Sequence, residues 1–405
     1  MTPARTVDEH AALVERLVAP ALADLAVETV PVAEARGRLT AAAMHSEVDL
    51  PLFRNSQMDG FAVRAADVAS APVALEVTGD IPAGHERPLV LTPGTALRIM
   101  TGAPVPDGAD AIVPVEDTQL ILGRDDDLAG AVVEIARGRR AGEFVRDRGS
   151  DIRRGEVLVD EATLLAPRHL AALASAGIGS VAVRARPRVG ILTTGTELVP
   201  TGAPAGFGKI FESNSVALAA LVEESGAVVS SRTTSSDDPG EFERALLAAA
   251  AVSDLIVTSG GISRGAYEVV REVLEPRGAD VTSIAMQPGG PQATALIEGV
   301  PIVCFPGNPV STHVSFTVFL RGLLRRAAGL PALGTRTLPL ASRVRSVAGK
   351  RQFARGRLLT DGTVEPLAGS SSHLVAGMAG ADVLIEIPES VESLEAGADV
   401  AVWTL

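Results

Sequence analysis

Five short stretches of this chain concentrate residue types suited to holding anions. They are Thr193-Thr-Gly-Thr-Glu-Leu198, Ser235-Ser-Asp-Asp-Pro239, Ser259-Gly-Gly-Ile-Ser-Arg-Gly265, Gln287-Pro-Gly-Gly-Pro-Gln292 and Pro306-Gly-Asn-Pro309. Glycines let backbone N–H groups approach a ligand closely, and a helix that starts just after such a loop adds positive partial charge. Glu197 and Asp237 add carboxylates able to hold a divalent ion such as Mg²⁺. The set suits an anionic or polar ring ligand. Each stretch taken singly is also an ordinary turn, but five on one predicted sheet edge make a ligand rim.

Two generic motifs compete for the same residues. Gly261-Ile-Ser263-Arg-Gly265 fits G-x-S-x-G, with Asp280 and His313 following in hydrolase order. The pattern is short and serine is common, so it does not carry a hydrolase by itself. Gly208-Lys209 resembles the end of a phosphate-binding P-loop, but Ile210 follows and position 203 is alanine rather than glycine. The six histidines are scattered, none paired at i, i+4, and read as solvated or core residues. Cys304 stands alone, which excludes an intrachain disulfide and a cysteine-based zinc site; its apolar run makes it a small buried hydrophobe.

Composition narrows the class. The chain has 405 residues and a formal net charge of −13. With 3% aromatics it lacks the basic face and stacking rings of a nucleic-acid binder. No apolar stretch reaches the length of a membrane span free of charges, and the first residues read as a charged amphipathic pattern rather than a signal peptide. A cytoplasmic protein is expected. Of the 36 lysines and arginines, only Lys209 and Lys350 are lysines, a bias most simply genomic.

The elements that must position the loops follow from periodicity. Residues 6–27 read as a helix, with Thr6 and Glu9 at capping-box spacing and Pro20 expected to end or kink it. From 51 to 140, short apolar runs alternate with Gly/Pro turns, the mark of an inserted β-rich domain. A helix is predicted again over 167–176. From 186 to 332, strands (189–193, 228–232, 255–258, 281–286, 302–305) alternate with helices (215–224, 239–252, 266–274, 310–328), implying a mostly parallel sheet covered on both faces. Residues 333–405 return to short strands. The expected division is 1–50 plus 141–185 as an elongated, helical connecting domain, 51–140 as the β-rich insert, 186–332 as an αβα domain, and 333–405 as a small C-terminal β-barrel. The fold class is multidomain α/β and β.

Taken in order, these segments resemble the molybdopterin molybdenumtransferase family (MoeA and the E domain of gephyrin). The resemblance runs through Asn55-Ser-Gln-Met-Asp-Gly-Phe-Ala-Val63, Arg98-Ile-Met-Thr-Gly-Ala-Pro-Val-Pro106, Arg148-Gly-Ser-Asp-Ile152, Thr194-Gly-Thr-Glu-Leu198, Asp237-Asp-Pro239, Ser259-Gly-Gly-Ile-Ser263 and Pro306-Gly-Asn-Pro309. It implies a MogA-like αβα domain and a homodimer in which the partner's β-domain helps close the cleft. It implies that adenylylated molybdopterin and molybdate, with Mg²⁺, give molybdenum cofactor and AMP. By motif, Asp59, Thr101 and Asp151 match polar residues presented from the β-domain, and Glu197 and Asp237 match carboxylates for Mg²⁺ or for positioning water. Thr194, Gly195, Asn214, Ser259, Gly260, Gly261 and Ser263 match the pterin-phosphate rim. Pro306, Gly307, Asn308 and Pro309 match its facing wall, and Arg146 an arginine near the anion site. Implied protein partners are a molybdopterin adenylyltransferase and downstream molybdoenzymes.

The match departs from the family in one segment. A Lys-x-x-x-Lys-Pro-Gly-Lys-Pro pattern is usual where this chain has Ser283-Ile-Ala-Met-Gln287-Pro-Gly-Gly290-Pro291, so three cations are missing. The run after the Gly-Gly loop, Gly265-Ala266-Tyr267, is shorter than the family's and lacks its Asp. Arg264 and Lys209 are the candidate substitutes. Two functions stay open at this point: an active molybdenum insertase with a variant anion site, and a catalytically weak paralogue that binds molybdopterin or protein partners.

Overall fold

A computed structural model describes residues 4–84, 88–121, 128, 130–262, 268–367 and 372–405. The chain folds as two compact units, Met1–Glu28 with Arg184–Leu405, and Thr29–Val183.

The first unit is built on a six-stranded sheet in the order Val228–Ser235, Arg188–Thr194, Leu255–Ser259, Val300–Phe305, Pro291–Ile297, Asp280–Ser283. The first four strands are parallel. The two β-hairpin strands that follow are antiparallel at each join. Pro291–Ile297 is a strand where a loop was expected at its start, because two prolines and two glycines hide the beginning of Gln292-Ala-Thr-Ala-Leu296. Alternation along the strands sends Val189, Ile191, Val257, Val303 and Phe305 to one face, and Leu192, Ile256, Ile302 and Cys304 to the other. Helices Asn214–Glu224 and Pro309–Phe319 cover the first face; Pro239–Ala250 and Val269–Leu274 cover the second. The predicted helix 310–328 is two helices, Pro309–Phe319 and Arg321–Ala327, meeting at Leu320.

The helix Val7–Ala23 belongs to this first unit. Its Val7, Val14, Val18 and Leu22 stripe is buried with Val189 and Phe316 in one core, which draws it away from the connecting segment. Thr6 and Glu9 form the expected capping box, but the helix runs through Pro20 and ends three residues later. Proline's clash lies with the preceding turn, and here the last turn tolerates it because packing holds both sides. The C-terminal sheet runs Met286–Gln287, Arg351–Leu358, Val383–Ile387, Asp399–Thr404, Arg336–Pro339. Met286–Gln287 joins it by pairing in parallel with Arg351–Gln352. The same segment is held from the other side by Arg5, whose N–H donates to the Ser283 carbonyl (3.0 Å) and whose carbonyl accepts from Ala285 N–H (2.8 Å).

The second unit carries a six-stranded sheet in the order Ala111–Pro114, Gly60–Val63, Thr95–Ile99, Val73–Ile81, Val132–Ile135, Thr118–Ile121. Outside it, Met44–His45 pairs with Val157–Val159, and Asn55–Ser56 with Val145–Arg146. The connecting segment is less helical than its pattern implied. Beyond helix Val7–Ala23, the described residues of 1–50 and 141–185 hold the helix Pro167–Ser175 and the 3-10 turn Val32–Glu34. No helix of the described residues is long and apolar enough to cross a membrane.

Candidate active site

The carboxyl ends of the parallel strands deliver four of the five loops to one cavity of about 660 Å³. Arg188–Thr194 runs out into Gly195, whose φ is +154°. A Cβ there would lie 2.7 Å from Glu197 Oε2, so glycine is what lets the exposed Glu197 fold back over the loop. Asp237, from the loop after Val228–Ser235, ties this loop down. Its Oδ1 accepts from the Thr194 hydroxyl (3.0 Å) and its Oδ2 from the Thr196 N–H (2.9 Å). One residue on, Asp238 caps the helix Pro239–Ala250 by accepting from Glu241 N–H at 2.8 Å.

The opposite side is a rim of short polar side chains. Asn214 opens the helix Asn214–Glu224, and its Nδ2 donates to Ser259 Oγ (2.9 Å) and to the Gly307 carbonyl (2.7 Å). Ser259 Oγ lies 3.0 Å from Thr312 Oγ1, which donates to the Pro306 carbonyl at 2.7 Å. Thus Asn214, Ser259, Thr312 and the Pro306–Gly307 backbone form one hydrogen-bonded chain across three loops. Gly260 has φ +102°, and a Cβ there would stand 2.6 Å from the Thr194 carbonyl, so this position admits the loop only as glycine. Asn308 precedes the helix Pro309–Phe319, whose Val310 N–H donates to the Ser372 carbonyl at 3.2 Å.

The structure therefore brings together Thr194, Gly195, Glu197, Asn214, Asp237, Ser259, Gly260, Gly261, Gly307, Asn308 and Pro309 as cavity lining. Pro306 contributes its carbonyl to the network without lining the cavity. Ser263 and Arg264 lie outside the described residues. Gln287–Gln292 does not line the cavity, since its backbone is spent on the C-terminal sheet and on the Pro291–Ile297 strand. Sequence reasoning missed Thr312, Glu212 and Phe211. Thr312 had a usable signal, one helical turn after Asn308. Glu212 is buried and accepts from Ser215 N–H (2.8 Å) and the Ser215 hydroxyl, a local cap visible only once the helix start is known.

The hydrolase alternative fails on geometry. Asp280 begins its strand, at the sheet edge away from the cavity, and pairs with Arg5 at 2.8 Å. Burial holds the His313 imidazole down at about 4, so it is neutral, and it is not among the cavity-lining residues. Cys304 is fully buried, and burial pushes its thiol up to about 12.

The remaining site candidates lie on the second unit. Asp59 Oδ1 accepts from both the N–H and the hydroxyl of Thr101, which holds its carboxyl below the usual range. Asp151 is exposed, anchored by its N–H on the Leu50 carbonyl (2.9 Å). Arg146 is exposed on the strand that pairs with Asn55–Ser56. Nearby, Asp49 accepts from Arg148 Nε (2.8 Å) and Arg154 N–H (2.9 Å), which steadies the loop between them.

Comparison with known proteins fits each part of this layout. Residues 5–177 match the MoeA N-terminal region (domain I and II), 190–326 a probable molybdopterin binding domain, and 337–405 the MoeA C-terminal region (domain IV). A curated relative from Mycobacterium tuberculosis, named molybdopterin molybdenumtransferase 2, is 42% identical over 99% of this chain and 100% of its own length. The chain belongs to the MoeA family. A Nostoc relative named molybdopterin molybdenumtransferase is 36% identical over 93% of this chain and 84% of its own. A solved MoeA structure from Pyrococcus horikoshii superposes with a TM-score of 0.80 at 32% identity, covering 99% of both chains. Membership places the cavity described above on the segment that the family's molybdopterin-binding model matches.

Proposed function

We propose that this MoeA-family protein is a molybdenum insertase of cofactor biosynthesis. It takes adenylylated molybdopterin and molybdate, breaks the phosphoanhydride, releases AMP and leaves molybdenum on the dithiolene. The observation that carries the reading is the cavity on the strand ends, where an Asn–Ser–Thr rim and glycine backbone face the carboxylates Glu197 and Asp237. The names of its relatives support an active transferase over a catalytically weak paralogue.

The residues divide by chemistry. Asn214, Ser259, Gly260, Gly261 and Gly307 form the phosphate and pterin rim, with Thr194, Gly195 and Ser263 completing it and Pro306, Asn308 and Pro309 forming the facing wall. Glu197 and Asp237 are hard oxygen donors of the kind Mg²⁺ prefers. Asp237 keeps lone pairs beyond its two hydrogen bonds, and Glu197 is exposed. Among the described residues no group of three or more His, Cys, Asp or Glu is placed to hold a metal. Magnesium fits this sparse set, because it commonly binds one or two carboxylates plus substrate phosphate and water. Bound there, it would neutralise phosphoryl charge. Asp59, Thr101 and Asp151 are proposed as catalytic groups and Arg146 as an anion contact. A homodimer, the four-part domain division, a cytoplasmic setting, and contacts with an adenylyltransferase and with molybdoenzymes belong to the same proposal.

The test is turnover by the full-length protein. Adenylylated molybdopterin, molybdate and Mg²⁺ are mixed with it, and AMP and active cofactor are measured. Release of AMP with cofactor formation supports an insertase. Tight pterin binding without AMP release would sink it in favour of the paralogue.

A further inference from the structure

The cavity has a charge problem. Glu197, Glu212, Asp237 and Glu268 line it, and among the described residues no lysine or arginine does. A ligand carrying phosphates would meet these four carboxylates. The segment where the family places lysines is bound into the C-terminal sheet and carries none. Magnesium held by Glu197 and Asp237 would offset part of this charge, and a side-chain cation for the remaining phosphoryl oxygens has to come from outside the lining.

One stands at the lip. Lys209 Nζ donates to the Thr196 carbonyl at 2.5 Å, on the loop that carries Glu197. Its backbone is fixed beside the cavity. Ile210 N–H donates to the Glu197 carbonyl (2.9 Å), and Ile210–Phe211 pairs in parallel with Leu198–Val199. The side chain, by contrast, is exposed and makes no ion pair among the described residues. It spends one of three N–H donors on a neutral carbonyl, on a four-carbon stem able to swing. In a chain that places arginine at nearly every basic position, this one carries a compact ammonium. A phosphoryl group accepts from an ammonium as a point charge and from a guanidinium bidentately, so the charge at this position is what the ligand reads.

We propose that Lys209 is the cation that meets the phosphoryl oxygens of the ligand in this cavity, exchanging the Thr196 carbonyl for the ligand. The assignment rests on the insertase reading, since it presumes that a phosphate-bearing ligand enters here. The test is calorimetric titration of the full-length protein with AMP and with adenosine, both in Mg²⁺. Wild type, Lys209→Gln, Lys209→Arg and Arg264→Gln are compared, each checked by circular dichroism for an unchanged fold. Lys209→Gln is expected to weaken AMP about tenfold and leave adenosine unchanged, with Lys209→Arg recovering most of the loss. Equal AMP affinity in Lys209→Gln overturns the assignment, as does a loss carried by Arg264→Gln instead. Equal weakening of adenosine shows a structural role and overturns it too. If wild-type protein binds neither compound, the nucleotide reading of the cavity fails first, and the assignment with it.

Discussion

Asp59 Oδ1 accepts two hydrogen bonds from one residue, the N–H of Thr101 at 2.6 Å and its hydroxyl at 2.7 Å. Both favour the ionised carboxyl, so Asp59 protonates below the usual carboxylate range. With the carboxylate as the working form, Thr101→Val removes the second donor and moves the acid limb of the pH–rate profile upward. Asp59→Asn should lower AMP release about a hundredfold at neutral pH. An unshifted acid limb in Thr101→Val would detach Asp59 from the rate.

Gly260→Ala is expected to cost about 1–3 kcal/mol. The residue would have to hold φ +102° with its Cβ 2.6 Å from the Thr194 carbonyl. Urea denaturation reads the loss. Because the displaced loop carries Ser259 as well, ligand affinity should fall in the folded protein too.

Asn214→Ala removes the donor shared by Ser259 and Gly307. Stability should drop by about 1 kcal/mol. Asn214→Asp, which turns a carboxylate toward the Gly307 carbonyl, should bind AMP more weakly than the alanine variant. Calorimetry distinguishes the two, and equal affinities would show that charge at this position does not matter.

Chelation of magnesium should stop AMP release, and re-addition should restore it. Glu197→Gln and Asp237→Asn are expected to raise the magnesium concentration for half-maximal rate about tenfold or more. Asp237→Asn should also loosen the Thr194–Thr196 loop, visible as faster amide exchange at Thr196. A magnesium requirement unchanged in both variants would move the metal elsewhere.

Stability should fall on mild acidification. His10 is fully buried against Phe319, ring centroids 4.8 Å apart, and both of its ring nitrogens lack a partner among the described residues. Burial holds it down at about 4, and His313 likewise at about 4. An unfolded histidine protonates near 6.5. Between about 6.5 and 4 the unfolded chain therefore takes up protons that the folded chain refuses, and stability declines through that window before levelling off below it. Urea midpoints across the window should slope less in His10→Leu than in wild type.

Much of the αβα layer was legible because parallel strands buried on both faces read as apolar runs, and Asp238, Gly226 and Asn308 punctuate the helices between them. The rim was legible for the same reason: Thr194, Ser259 and Pro306 directly follow such runs. What stayed hidden depended on partners distant in sequence. Met286–Gln287 looks like the tail of a strand over 281–286, yet the chain leaves that strand at Ser283 and pairs with Arg351–Gln352. Helix Val7–Ala23 shows its apolar stripe plainly, but nothing local says that the stripe belongs with Val189 and Phe316. The sequence excludes a P-loop at Gly208-Lys209 and names Lys209 only as one candidate substitute for the missing lysines, without a position. Its place beside Thr196 follows from the pairing of Ile210–Phe211 with Leu198–Val199, two residues a side and too short for any periodicity to announce.

The discontinuity of the first unit sets an order of events on the ribosome. Residues 29–183 form one uninterrupted unit and can close as soon as they emerge. Helix Val7–Ala23 is made before them, but the strands that bury its stripe are made after. It must wait, with Val14 and Val18 unburied, while a whole unit folds between it and its destination. During synthesis that stripe is open to wrong partners, although in the finished protein Val14 and Val18 are fully buried.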